Sequence, residues 1–200
     1  MKKILFVVSH LGSESSSLCD ILNNNPRIQV YNTGAIYNYI EAGLALVTQP
    51  HKCDTTAAIW AEELLHNHRF GHHCFYRWAQ FVYLIQDARR SLHSMQPTNP
   101  VTANINFRYY IYRLRRICEM ARQTPGAMLL TSLGNLNPLE RYLNLKKPLC
   151  QHVSVPVELC RFVTTEQVRK AQESFERHYY YLRNQDLVMP NLQSSLDSKS

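Results

Sequence analysis

The stretch from Lys2 to Leu22 does most to limit what this chain can fold into. Ile4-Leu-Phe-Val-Val8 is a continuous apolar run, Ser9-His-Leu-Gly-Ser-Glu-Ser-Ser-Ser17 is a small polar loop, and Leu18, Ile21 and Leu22 share one face of a helix. An apolar run without polar alternation suits a strand covered on both faces, as in a parallel sheet. Gly12 permits a tight turn. Ser13, Ser15, Ser16 and Ser17 then place hydroxyls and backbone amides where the helix begins, an arrangement that suits a phosphate or sulfate. The competing reading is that Ser15 or Ser16 only caps the helix. No G-x-x-x-x-G-K-[ST] pattern occurs, so the loop lacks the lysine and hydroxyl of a Walker nucleotide site.

A chain of 200 residues, 45% hydrophobic and 18% charged, is long enough for one domain with a sizeable core. We expect a single domain over residues 1–185 and a polar, disordered tail over 186–200. No apolar run approaches the roughly 20 residues of a membrane span, and the apolar segment after Met1-Lys-Lys is too short for a secretory leader. The expectation is a cytoplasmic protein with no membrane partner. Six cysteines, at 19, 53, 74, 118, 150 and 160, form no C-x-x-C pair and read as reduced thiols. The net charge of +7 fits an anionic ligand. No nucleic-acid-binding motif accompanies it, so no nucleic-acid partner is expected. In His66-Asn-His-Arg-Phe-Gly-His-His-Cys74 the adjacent His72 and His73 point apart, and no metal site is expected.

Further strands are expected at Ile28–Tyr31 and Gln80–Ile85. Helices are expected at Ala35–Val47, at Thr56 to about His68 with Glu62 and Glu63 within it, at Ile105–Gln123, and from Thr164 or Thr165 to Arg183. The third helix buries Phe107, Ile111, Leu114, Cys118 and Ala121; Arg108, Arg115 and Arg122 recur every seven residues on another face. Together these elements predict a three-layer α/β domain: a mainly parallel sheet of four or five strands, helices on both faces, and a ligand cleft at the carboxyl ends of Ile4–Val8 and Gln80–Ile85.

Where the second strong strand runs into Gln86-Asp-Ala-Arg-Arg-Ser-Leu-His-Ser94, a family resemblance becomes visible. Strand-R-D-P-R-x-x-x-x-S, after an N-terminal strand and [KR]-S-G-[ST]-[ST]-x-L-x-x-[IL]-L, is the paired signature of the sulfotransferase superfamily, and this chain resembles a small, divergent member. Pro125-Gly-Ala-Met-Leu-Leu-Thr131, followed by Pro138-Leu-Glu-Arg-Tyr-Leu-Asn-Leu145, is similar to the family's late strand, turn and short helix.

The resemblance implies a P-loop-like fold and 3′-phosphoadenylyl sulfate (PAPS) as sulfuryl donor. The first loop, through Gly12, Ser13, Ser15 and Ser16, would hold the 5′-phosphosulfate. Gln86, Arg89 and Ser94 of the second block would hold the 3′-phosphate. The chain departs from the pattern at Gly12, where the family has Lys or Arg, at Glu14, where it has Gly, and at Gln86 and Ala88, where it has Arg and Pro. His10, Arg89, Arg90 and Arg108 are candidates to replace the missing cations. Transfer also requires a base for the acceptor hydroxyl, for which Glu41, His51, Glu62, His66 and His68 are candidates, foremost Glu41, His51 and His66. The expected activity is sulfuryl transfer to a hydroxyl of a carbohydrate or small-molecule acceptor. The alternative is a protein of the same fold that binds the anion without turnover.

Overall fold

The computed structural model describes residues 3–31, 58–64, 79–150 and 156–189. In chain order the elements are β1 (Lys3–Ser9), α1 (Ser15–Asn23), β2 (Ile28–Tyr31), β3 (Ile59–Leu64), β4 (Ala79–Leu84), α2 (Ala88–Ser94), α3 (Pro100–Ala121), β5 (Met128–Leu130), α4 (Asn137–Leu143) and α5 (Thr165–Arg183). The five strands form one parallel sheet in the order β2-β3-β1-β4-β5. The fold is therefore α/β.

β1 is the central strand, and its alternation divides the core into two layers. Leu5 and Val7 pack with Leu18, Ile21 and Leu22 of α1 and Leu139 and Leu143 of α4. Phe6 and Val8 face the opposite way and pack with Leu92 of α2, Leu114 and Ile117 of α3, and Ala171 and Leu182 of α5. Each fully buried side chain of this size contributes about 1.5–3 kcal/mol. Sandwiched between two helical layers, β1 has no polar face, which accounts for its unbroken apolar run.

The helices start at strong local signals. Asn99 caps α3 reciprocally with Thr102, Pro100 opens it, and Thr164 caps α5 with Gln167 in the same two-way arrangement. The apolar stripe expected on α3 is present: Leu114, Cys118 and Ala121 are buried, and Phe107 and Ile111 pack at the core's edge. Among the described residues, no helix is long and apolar enough to cross a membrane.

Two expectations are corrected. Thr56–His68 is not a helix through Glu62 and Glu63, because residues 59–64 are β3, paired on one side with β1 and on the other with β2. Hydrogen bonding to two neighbours overrides the local helical preference of the glutamates. The ordered domain also continues past 185. Val188 bridges Met128 in parallel, its amide donates to Ala127 O, and the Leu129 amide donates to Val188 O. Leu187 and Met189 pack against the core, so the expected tail loses its first residues to the β5 edge. The helix expected at Ala35–Val47 and the histidine segment 66–74 lie outside the described residues.

The carboxyl ends of two strands are tied together by a charge. Arg113 of α3 is fully buried; its Nε donates to Ser9 O at 2.8 Å and its Nη2 to Leu64 O at 2.6 Å. Burial pulls its pKa down to about 10, which leaves the guanidinium protonated at neutral pH. Replacing it by methionine removes both bonds but also a desolvated charge, so Arg113→Met is expected to cost about 1.5–3 kcal/mol with an unchanged denaturant slope. Urea unfolding measures this, and an unshifted midpoint would show that the clamp adds nothing.

Candidate anion site at the carboxyl ends of the sheet

α1 leaves β1 on one face of the sheet, whereas α2 and α3 follow β4 on the other. The chain therefore reverses direction between β1 and β4, and in open α/β sheets a ligand crevice forms outside the strand ends at that point. The structure brings the two expected loops together there. Gly12, Glu14, Ser15 and Ser16 of the first loop and Ser94 at the end of α2 line one cavity of about 240 Å³.

The first loop is shaped by contact with α2. Gly12 has φ 77°, and a Cβ at this position would lie 2.5 Å from the Ser91 carbonyl oxygen. No side chain fits, so the cation that the resemblance places here is excluded by the approach of two backbones. Glu14 also adopts the left-handed conformation, with φ 61°, just before α1. Its carboxylate accepts from Gln86 Nε2 at 2.8 Å and forms an ion pair with Arg90. The side chains of Ser15 and Ser16 do not cap α1, since the N-cap position is Glu14 and it makes no side-chain cap bond. The first-turn amides of α1 lack intrahelical acceptors, as at any helix start, and carry the positive end of its dipole.

His10 is fixed by its hydrogen bonds. The Gln86 amide donates to Nε2 at 3.0 Å, so the ring proton sits on Nδ1, which donates to Leu11 O at 2.9 Å. Tyr110 meets the ring edge to face at 5.0 Å and donates its own hydroxyl proton to Gln86 O at 2.7 Å. Burial lowers the His10 pKa to about 4. His10 is thus a neutral staple between the two loops rather than the replacement cation expected from the sequence.

The other expected residues divide. Ser16 is exposed and Ser15 buried in the crevice lining, and Ser13 is fully buried with an Oγ that has no hydrogen-bond partner among the described residues. Gln86 is buried and committed to Glu14. Arg89 is exposed and lines a different cavity, on the far side of α2, with Asp87, Arg90 and His93. Arg108 is exposed on α3 and lines neither cavity. Arg115 pairs with Glu119, and Arg122 lies over the Tyr181 ring, so these two arginines of the basic face of α3 are engaged with their own neighbours. Glu41, His51, His66 and His68 lie outside the described residues. Glu62 is on β3, 3% exposed, and burial raises its pKa to about 7.

Sequence reasoning missed Arg113 and Tyr110. Both lie on the buried side of α3 with Leu114 and Ile117, at helical spacings of three and four. A signal was available there: an arginine inside an apolar stripe has to find acceptors. No family model matches the chain, and no curated protein is significantly similar to it.

Two perturbed groups, His10 and Glu62, oppose each other in pH. His10, lowered from 6.5 to about 4, contributes stability that is full above pH 6.5 and lost as pH falls towards 4. Glu62, raised from 4.5 to about 7, contributes stability that is full below pH 4.5 and lost as pH rises through 7. Glu62→Gln is therefore expected to gain on the unmodified protein between pH 4.5 and 7, by up to about 3 kcal/mol. The variant alone should weaken as pH falls from 6.5 to 4. Urea unfolding across this range measures both, and a difference independent of pH would contradict a carboxyl group buried at this position.

Proposed function

We propose that the protein binds PAPS at the crevice between β1 and α2 and transfers its sulfuryl group to a hydroxyl of a carbohydrate or small-molecule acceptor. The observation that carries this reading is the shared cavity: the loop after β1 and Ser94, far apart in sequence, line one space at the carboxyl ends of adjacent strands. The residues present fit an anion. Ser15, Ser16 and Ser94 are among the cavity's lining residues and bring hydroxyls, and a helix start offers backbone amides as donors.

In this reading Ser15, Ser16 and the start of α1 hold the 5′ end of the nucleotide, and Ser94 holds the 3′-phosphate. The donor supplies an activated sulfuryl group, whose bond to the phosphate oxygen breaks as a bond to the acceptor oxygen forms. The acceptor hydroxyl loses its proton to a base, for which the sequence offers Glu41, His51 and His66. Buried His10 keeps the two loops in register without contributing charge.

One observation favours the second reading, an anion-binding protein without turnover. Glu14 places a carboxylate on the crevice wall and takes up the Gln86 amide and the Arg90 guanidinium, two donors that a phosphate would otherwise recruit. Removing that charge while keeping the shape separates the possibilities. Glu14→Gln is expected to tighten adenosine 3′,5′-bisphosphate by about tenfold, and Ser94→Ala to weaken it about three- to tenfold. Calorimetry reads both, and unchanged affinities in folded variants would remove the crevice as a nucleotide site. Transfer of labelled sulfate from PAPS across a panel of hydroxyl acceptors then tests turnover. Binding without transfer to any of them would favour the second reading.

A further inference from the structure

α2 has a second wet side, away from the first loop. There Arg89, Arg90 and His93 face Val157 and Leu159 across a cavity of about 390 Å³. A second cavity, of about 460 Å³, shares Arg89, His93 and Leu159 and runs on to Arg161, Val163 and Val168 at the start of α5. The two make one groove between α2 and the segment 156–163, with His93 in its floor.

His93 is 7% exposed, and the Cys160 amide donates to its Nδ1 at 2.9 Å. That bond requires Nδ1 to be unprotonated, so the proton of the neutral ring is on Nε2. Burial and the nearby Arg89 hold the pKa below its usual value, which keeps the ring neutral at pH 7. His93 thus brings an N–H donor to the groove lining, and no protein acceptor for it is found among the described residues. Arg89 and Arg161 are both exposed at its rim, and Arg161 lies 4.7 Å from the Phe162 ring centroid, a stacking that leaves its in-plane N–H groups available to an acceptor. Arg90 is held in an ion pair by Glu14. The acidic side chain in the lining is Asp87, and it is engaged in capping α2 through the Arg90 amide at 3.0 Å. Cations therefore exceed anions along the groove. Apart from Cys160 and Thr165 its remaining lining is apolar, including Leu159, which is 67% exposed.

We propose that this groove binds a small organic anion, one sulfate, sulfonate or carboxylate head on an apolar body. The head lies between Arg89, Arg161 and His93 Nε2–H, where charge-assisted bonds and a neutral donor converge. The body covers Val157, Leu159 and Val168, withdrawing an exposed leucine from water. The site is separate from the crevice of the first loop and does not depend on PAPS being its ligand.

Fluorescence titration of the full chain with 1-anilinonaphthalene-8-sulfonate, an aromatic sulfonate, tests the site. Saturable one-to-one binding is expected, weakened about tenfold or more in Arg89→Gln/Arg161→Gln and about three- to tenfold in His93→Asn, which keeps an acceptor for Cys160 but loses the Nε2 donor. Arg108→Gln, an exposed arginine outside the groove, should leave affinity unchanged, and adenosine 3′,5′-bisphosphate should not displace the probe. Leu159→Asp, a substitution at an exposed position that does not endanger folding, should weaken the probe at least as much as His93→Asn. Equal weakening by Arg108→Gln, unaltered affinity in the double variant or in Leu159→Asp, binding at many sites, or displacement by the bisphosphate would each overturn the proposal.

Discussion

A guanidinium without access to water has to be met by acceptors, and Arg113 finds them in the carbonyl groups of Ser9 and Leu64, at the ends of neighbouring strands. The carboxyl end of a parallel sheet is where its terminal carbonyls run out of partners. One side chain from α3 closes β1 and β3. Three residues earlier on the same helix, Tyr110 reaches the Gln86 carbonyl just past β4 and packs on His10 just past β1. The strand ends are thus tied to a single helix, and the loops that leave them start from fixed positions. Such a buried polar set constrains geometry because each member is costly to leave unpaired.

The crevice follows from that fixation. His10 links the first loop to the Gln86 amide, and the contact of Gly12 with Ser91 brings the backbone of that loop onto α2. The start of α1 and the end of α2 therefore stand against each other across a small space. α2 also divides the polar groups of its block between two surfaces, with Ser94 facing the first loop and Arg89 and His93 facing the segment 156–163. A seven-residue helix with polar side chains around its circumference can line two cavities at once: Ala88, Ser91, Leu92 and His93 are its buried residues, and the others are left to the surface.

The sheet was legible in the sequence wherever a strand is covered on both faces: Ile4–Val8 and Gln80–Ile85 announce themselves by continuous apolar residues. β3 was not, because Glu62 and Glu63 interrupt its pattern and local preference favours a helix. Only pairing with two strands distant in sequence decides the outcome, and no window of the sequence contains that information. The caps of α3 and α5 were readable because they are local chemistry. At the site, the meeting of the two loops followed from strand ends alone, whereas Ser94 was singled out by the resemblance. The roles of His10, Gly12 and Arg113 did not, since each is set by partners distant in sequence, and a histidine in a loop reads equally as a cation or as a neutral staple until its partners are known.

Glu14 is where the resemblance and the structure part most clearly. A glycine before the helix would accept the left-handed conformation without strain, whereas a glutamate there costs on the order of 1 kcal/mol and persists only if its surroundings hold it. They do: Gln86 and Arg90 grip the carboxylate, and the positive end of α1 begins at the next residue. The side chain supplies, from within the chain, the negative charge that a helix start and a neighbouring guanidinium would otherwise draw from solution. Two departures that look independent in the sequence, Glu14 for glycine and Gln86 for arginine, are therefore one local solution. An arginine at 86 would face both Glu14 and Arg90, so its charge would be divided between an ion pair and a like-charge contact before it reached a ligand. The amide at 86 satisfies one carboxylate oxygen without adding a second cation, and Arg90, on the next turn, satisfies the other.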